Sequence, residues 1–171
     1  MKKTLPFLSI LIFLPFFSPF LFSAPSRPAP APSESAAALA PEIDAYNAGC
    51  KLLKKKKWAE AQKQFELALK AKEAFPEAHN NLAFVLRVQS PQNFDESLVH
   101  YNRAIELAPK MPEPYMYRGA LYFAMGKKDL AQADYETLKK MKSSLAKHLK
   151  EVMDTGKEEL DEFYGISKPK W

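Results

Sequence analysis

The chain has 171 residues, 47% hydrophobic and 26% charged, with a formal net charge of +5 and one cysteine, Cys50. That length supports one domain with a real core plus extra segments, and the composition suits a soluble globular or solenoid protein. The mild charge excludes a nucleic-acid binder on electrostatic grounds, and a single thiol excludes an internal disulfide.

Residues 1–26 read as a leader. Lys2 and Lys3 give a basic tip, and Leu5 to Phe22 is almost wholly apolar, the pattern of a secretory signal. The alternative is a retained anchor, because the run nearly reaches the ~20 residues of a spanning helix. Pro6, Pro15 and Pro19 weaken that alternative, since each removes a backbone donor. Small residues at Ala24 and Ser26 place cleavage after Ser26, and no cysteine follows the run to carry a lipid. The expectation is export to the periplasm or the extracellular space, with an inner-membrane anchor facing outward as the alternative. N-terminal sequencing of exported protein checks it: a start at or near Arg27 is expected, and an intact Met1 in the membrane fraction contradicts it. Residues 27–41 form a Pro/Ala-rich linker of polyproline character that cannot build a core.

From residue 42 the apolar period changes to that of helices. The first helix, 42–54, turns Ala45, Ala48, Gly49 and Leu52 to one side, and Lys54 to Lys57 close it where the helix dipole favours cations. The next, 58–74, puts Ala61, Phe65, Ala68 and Leu69 inward. Pro76 opens a second pair. Its first helix, 77–89, carries His79, Leu82, Ala83 and Leu86, and its second, 94–108, carries Ser97, Leu98, Tyr101, Ala104 and Ile105. The turn Ser90–Asn93 between them is two residues longer than in the other pairs. A third pair spans 112–142 with a tight turn at Gly126–Lys127. Ser143 and Ser144 then offer a cap for a helix striped with Leu145, Leu149 and Val152 and stopped at Gly156. One more short helix is expected over 157–164, anchored by Leu160, Phe163 and Tyr164.

The pairs are copies of one another. Gly49 and Leu52 lie 34 residues before Ala83 and Leu86, and Ser97 and Tyr101 lie 34 before Ala131 and Tyr135. The third copy reads Tyr115-x2-Arg118-Gly119-x2-Tyr122, then Ala131-x3-Tyr135. The second reads His79-x2-Leu82-Ala83-x2-Leu86, then Ser97-x3-Tyr101 and Pro109; the first reads Ala45-x2-Ala48-Gly49-x2-Leu52, then Ala61-x3-Phe65. This resembles the tetratricopeptide repeat (TPR) family, whose pattern is W-x2-L-G-x2-Y…A-x3-F…P. The resemblance implies an all-α solenoid of tandem helix-turn-helix repeats at 42–75, 76–111 and 112–142, with a capping helix and tail over 143–171. His79 in place of an aromatic and Ser97 in place of Ala are departures, and the first repeat lacks its closing Pro.

No catalytic, metal or cofactor constellation is visible. His79, His100 and His148 fall in different helices, with His79 expected in the core and His100 expected in a surface pair with Glu96. There is no phosphate loop, CxxC or nucleophile elbow. Cys50 reads as a small apolar residue tucked on its helix. The functional signal is a second stripe on each first helix: Tyr46, Cys50 and Leu53, then Asn80, Phe84 and Arg87, then Met116, Ala120 and Phe123. The resemblance implies that these residues line a concave groove for a partner peptide, with Lys54 and Arg87 available to orient an acidic group; the alternative is that they pack between repeats or are covered by the chain's own tail. Some family members clamp a terminal carboxylate with lysines and an arginine. Here the corresponding places hold Tyr46, Cys50, Met116 and Ala120, although Asn81 matches the asparagine, so an apolar or aromatic segment is the expected guest. The predicted function is an exported adaptor that binds a protein or peptide and uses no cofactor, with no nucleic acid and no membrane contact beyond the leader. A membrane-anchored structural module for envelope assembly or self-association is the alternative, and an enzyme a distant one. On this reading Phe84→Glu abolishes binding and leaves the fold intact.

Overall fold

The computed structural model describes residues 40–158. The leader, most of the linker and residues 159–171, including most of the helix expected over 157–164, lie outside the described residues. Within them the chain forms α1 (Pro41–Lys54), α2 (Trp58–Ala71), α3 (Pro76–Gln89), α4 (Phe94–Leu107), α5 (Glu113–Ala124), α6 (Lys128–Lys140) and α7 (Leu145–Thr155). The longer turn before α4 is a 3₁₀ turn over Pro91–Asn93.

Local chemistry sets most boundaries. Prolines occupy the first turns of α1, α3 and α5, where a missing N–H costs nothing. Asp or Glu sits in the first turn of the first six helices, beside the exposed amides. Gly156 ends α7 with a left-handed φ of 68° and its N–H on the Val152 carbonyl. Gly126 makes the left-handed turn of the third pair at φ 73°, and the first pair makes the equivalent turn with Lys56 at φ 57°. The lysine run is therefore a helix end that folds through a strained residue, and not a continuous last turn.

The elements pack as three hairpins, α1 with α2, α3 with α4 and α5 with α6. These stack in order, α2 against α3 and α4 against α5, and α7 closes the end on α5 and α6. Close approach within a hairpin rests on the small residues. A Cβ at Gly49 would lie 2.6 Å from a ring carbon of Phe65. At Gly119 it would lie 2.5 Å from Leu149 and 3.2 Å from the Asp134 Cβ, so this glycine admits both the partner helix and the capping helix. Phe65 and Tyr101 are fully buried, as their repeat positions require, while Tyr135 is half-buried at the capped end.

Two packing expectations change. In α1 the stripe Ala45, Ala48 and Leu52 is only half-buried, whereas Tyr46, Cys50 and Leu53 are buried. No described helix precedes α1 in the stack, so its outward side meets no other helix among the described residues. The third repeat also holds a polar element that periodicity does not reveal. Arg118 donates from Nε and Nη2 to the Asp134 carboxylate at 3.0 and 2.6 Å, and from Nη1 to Asn102 at 2.6 Å. Its guanidinium lies 5.6 Å from the ring centres of both Tyr115 and Tyr122. Burial pushes the Asp134 carboxyl up, and the two-pronged Arg118 contact opposes that shift.

The first helix of the middle repeat is enclosed on all sides. Ala78 to Leu86 of α3 are buried without a break, which covers more than two turns around the whole helix. A helix flanked only in the plane of a stack keeps one exposed side. α3 keeps none.

Candidate functional site

The site expected from the sequence is the face formed by the first helices, α1, α3 and α5. The structure brings its residues together, and it buries most of them. Tyr46, Asn80, Asn81 and Phe84 are fully buried; Cys50, Leu53, Met116 and Ala120 are exposed by 3% or less. Lys54 is exposed at the end of α1, and Phe123 is half-buried. The picture of a bare apolar stripe is thus corrected: these side chains are interior.

Their contacts explain part of the burial. The Tyr46 ring packs 4.8 Å from Phe75 and 5.8 Å from Phe65. Asn81 donates its amide to the Tyr46 hydroxyl at 3.2 Å and approaches the Cys50 sulfur at 3.6 Å. Desolvation pushes the Cys50 thiol up to about 11, so it is protonated and unreactive near neutrality. Phe84 lies 4.8 Å from Tyr117 and 6.2 Å from Trp58, bridging all three repeats.

Arg87 is the charged centre of this face. Its side chain is 7% exposed, and its guanidinium sits 5.2 Å from the Phe84 ring centre and 5.0 Å from that of Tyr117. Nε donates to the Tyr101 hydroxyl at 3.2 Å. Nη1 donates to Glu158 Oε2 at 2.8 Å, and Nη2 pairs with Oε1 of the same carboxylate. Burial alone lowers an arginine pKa; Tyr101 and Glu158 outweigh it and hold Arg87 above its ordinary value. The sequence picked Arg87 to orient an acidic group, and the structure supplies one from the chain itself, just beyond α7. The pairing partner was hidden because 71 residues separate the two. A lone arginine in an apolar stripe, and an acidic run ahead of apolar anchors, were the available signals.

A cleft of about 140 Å³ opens beside this pair, lined by Met116, Tyr117, His148, Val152, Lys157 and Glu158 among others. It is smaller than the ~300 Å³ at which small-molecule pockets begin. No group of three or more metal-ligating side chains occurs among the described residues.

The histidines differ from expectation in one respect. His79 is in the core, but His100 meets His79 and not Glu96: the two Nδ1 atoms are 2.9 Å apart. His79 Nε2 lies 2.9 Å from the Glu73 carbonyl oxygen, which can only accept, so Nε2 carries a proton. In the neutral pair His79 Nδ1 is then the acceptor and His100 Nδ1–H the donor. The pair can take one further proton while the His79 Nδ1 still accepts, and a second sets two donors against each other. Burial lowers both pKa values, and the neighbouring His79 helps to hold His100 down at about 4. Glu73 and Arg103, the charged groups facing His79, pull in opposite directions. Because the folded values lie below the ordinary 6.5, this stability is complete above pH 6.5 and is lost as pH falls toward 4. The melting temperature is expected to drop by on the order of 5 °C between pH 7 and 4.5, a discounted figure for a partly exposed pair. His100→Gln should flatten that slope; an unchanged slope contradicts the pairing.

Hairpins of two helices stacked at a 34-residue period and closed by a capping helix define a helical-repeat scaffold. A family model described as TPR repeat matches residues 91–126, across α4 and α5. Among solved structures, "First TPR of Spaghetti (RPAP3) bound to HSP90 peptide SRMEEVD" aligns at TM-score 0.60 and 23% identity, over 67% of this chain and 91% of that one. The "Arabidopsis OM64 TPR domain" aligns at TM-score 0.60 and 18% identity, over 68% and 97%. Comparison with curated proteins returns no match. Residues 91–126 thus match the TPR repeat model, and the described residues have the all-α tandem-hairpin solenoid fold of these TPR domains. That fold is consistent with a protein–protein interaction scaffold.

Proposed function

We propose that the chain is an exported adaptor that acts by binding a protein or peptide segment on the α1–α3–α5 face, and not by catalysis. The observation that carries this reading is Arg87: a buried guanidinium stacked on two aromatic rings, its donor fork on a carboxylate. A buried cation of this kind is costly without an anion, so the face is built to receive an acidic group. The cleft beside it, lined in part by Met116, Tyr117 and Val152, supplies an apolar seat, which suits a guest that combines an acid with aliphatic or aromatic side chains. The structure titled as bound to an HSP90 peptide supports peptide binding as a mode available to this fold. Export rests on the basic, apolar leader. Self-association through the outer face draws less support, since Leu67, Val99 and Leu130, the exposed large apolar side chains among the described residues, are scattered over three helices.

The test is selection of a displayed random peptide library on the full chain. Enriched sequences should pair an acid with nearby apolar anchors, and Arg87→Met should weaken them at least tenfold without unfolding the protein. Absence of enrichment, or indifference to Arg87→Met, overturns the reading.

A further inference from the structure

The acid that holds Arg87 belongs to the chain itself, and it lines the cleft where a guest would sit. That cleft has apolar walls at Met116, Tyr117 and Val152, and its charged lining includes Glu151, Lys157 and Glu158. Arg87 is not among the described residues that line it, whereas two of its partners, Tyr117 and Glu158, are. The Arg87 side chain is 7% exposed and that of Glu158 18%. A carboxylate seated in the cleft therefore meets Glu158 before it meets the guanidinium.

The connection that carries Glu158 to Arg87 is short and lies outside the core. α7 ends at Thr155, and Gly156 turns the chain through a left-handed φ of 68°. Asp154, Thr155, Gly156 and Lys157 are all exposed, and a Cβ at Gly156 would have nothing within 4 Å. Lys157 N–H donates to the Thr155 hydroxyl at 3.1 Å, a contact confined to the turn. Glu158 can thus leave Arg87 through a change at this turn, with no helix unpacked.

We propose that Glu158 is a latch on the guest site, an internal carboxylate that occupies the Arg87 fork until a partner's acid displaces it. This rests on the binding-face reading above and adds the regulation of that site. Exchanging one carboxylate for another keeps Arg87 paired before and after, so neither state buries an unpaired cation. The latch also sets selectivity. Because Glu158 is tethered, it competes at a high effective concentration, and a guest's apparent affinity falls with the fraction of chains in which Arg87 is open. A lone acid loses that competition. An acid joined to an aliphatic or aromatic side chain that fills the cleft adds a contact that Glu158 does not make, and it wins.

The experiment titrates full-length chains into a labelled synthetic peptide that carries one glutamate beside leucine and phenylalanine, read by fluorescence anisotropy. Glu158→Gln removes the charge but keeps the shape and one acceptor for Arg87; it should bind at least tenfold more tightly than the parent. Arg87→Met should erase that difference, so that Arg87→Met and Arg87→Met with Glu158→Gln bind equally weakly. Gly156→Ala decides the matter if Glu158→Gln does not melt cooperatively. It leaves both charged side chains in place and strains only the left-handed turn, so affinity should rise on the order of threefold. Equal affinity of the parent, Glu158→Gln and Gly156→Ala overturns the latch, and the adaptor reading survives if Arg87→Met still weakens binding. Weaker binding to Glu158→Gln also overturns it, since Glu158 then holds Arg87 in place for the guest. Binding to none of the chains overturns both.

Discussion

Gly119→Leu is expected to collapse the third repeat and release the capping helix. The position has no room: the first side-chain carbon would already lie 2.5 Å from Leu149 and 3.2 Å from the Asp134 Cβ. Leu149 is fully buried, so it cannot swing into solvent to make space. Leucine favours helix over glycine by less than ~1 kcal/mol, whereas overpacking typically costs ~1–3 kcal/mol and here acts on two helices at once. Displacing Asp134 also disturbs its contact with Arg118, which adds the cost of a buried unpaired charge. The melting temperature should fall by ~10 °C or more, and amides of α7 should lose their protection from exchange before those of α1. A melting curve like that of the parent would mean that α5, α6 and α7 do not converge at Gly119.

Phe84→Glu is the second large effect, and it reverses the expectation drawn from the sequence. On an open groove this change would leave the fold intact. In the structure Phe84 is fully buried between Trp58 and Tyr117, with Arg87 over its face. Truncating a buried phenylalanine costs ~3–5 kcal/mol, and a charged replacement adds desolvation. Pairing of the new carboxylate with Arg87 offsets part of this, but only by competing with Glu158. Phe84→Glu should therefore unfold the middle repeat near room temperature, and Phe84→Leu should retain the fold. A stable, helical Phe84→Glu protein would mean that α3 is open on its inner side.

The repeats were legible because their signal is local and periodic. Gly49, Ala83 and Gly119 recur where hairpins close, and Phe65, Tyr101 and Tyr135 recur on the facing helices. The capping helix was legible from the Leu145, Leu149 and Val152 stripe and the Gly156 stop, both realised in α7. What escaped lies between distant residues. Arg118 and Asp134, His79 and His100, and Arg87 and Glu158 each pair side chains that no period links. Burial of the second stripe was open as an alternative to the groove, and a helix-wise count cannot decide between them because it sees each first helix alone and not the packing between repeats. That Arg87 needs an anion was legible, since a cation within an apolar stripe needs one wherever it is buried; that Glu158 of the same chain supplies it was not.

The central claim is that the α1–α3–α5 face receives an acidic, apolar-anchored segment through Arg87. Fluorescence anisotropy with a labelled synthetic peptide that pairs one glutamate with nearby leucine and phenylalanine anchors tests it most directly, titrated with two full-length chains, the parent and Arg87→Met. The account predicts binding to the parent that salt weakens and that Arg87→Met reduces at least tenfold. Equal affinity for both chains, or none for either, would contradict it.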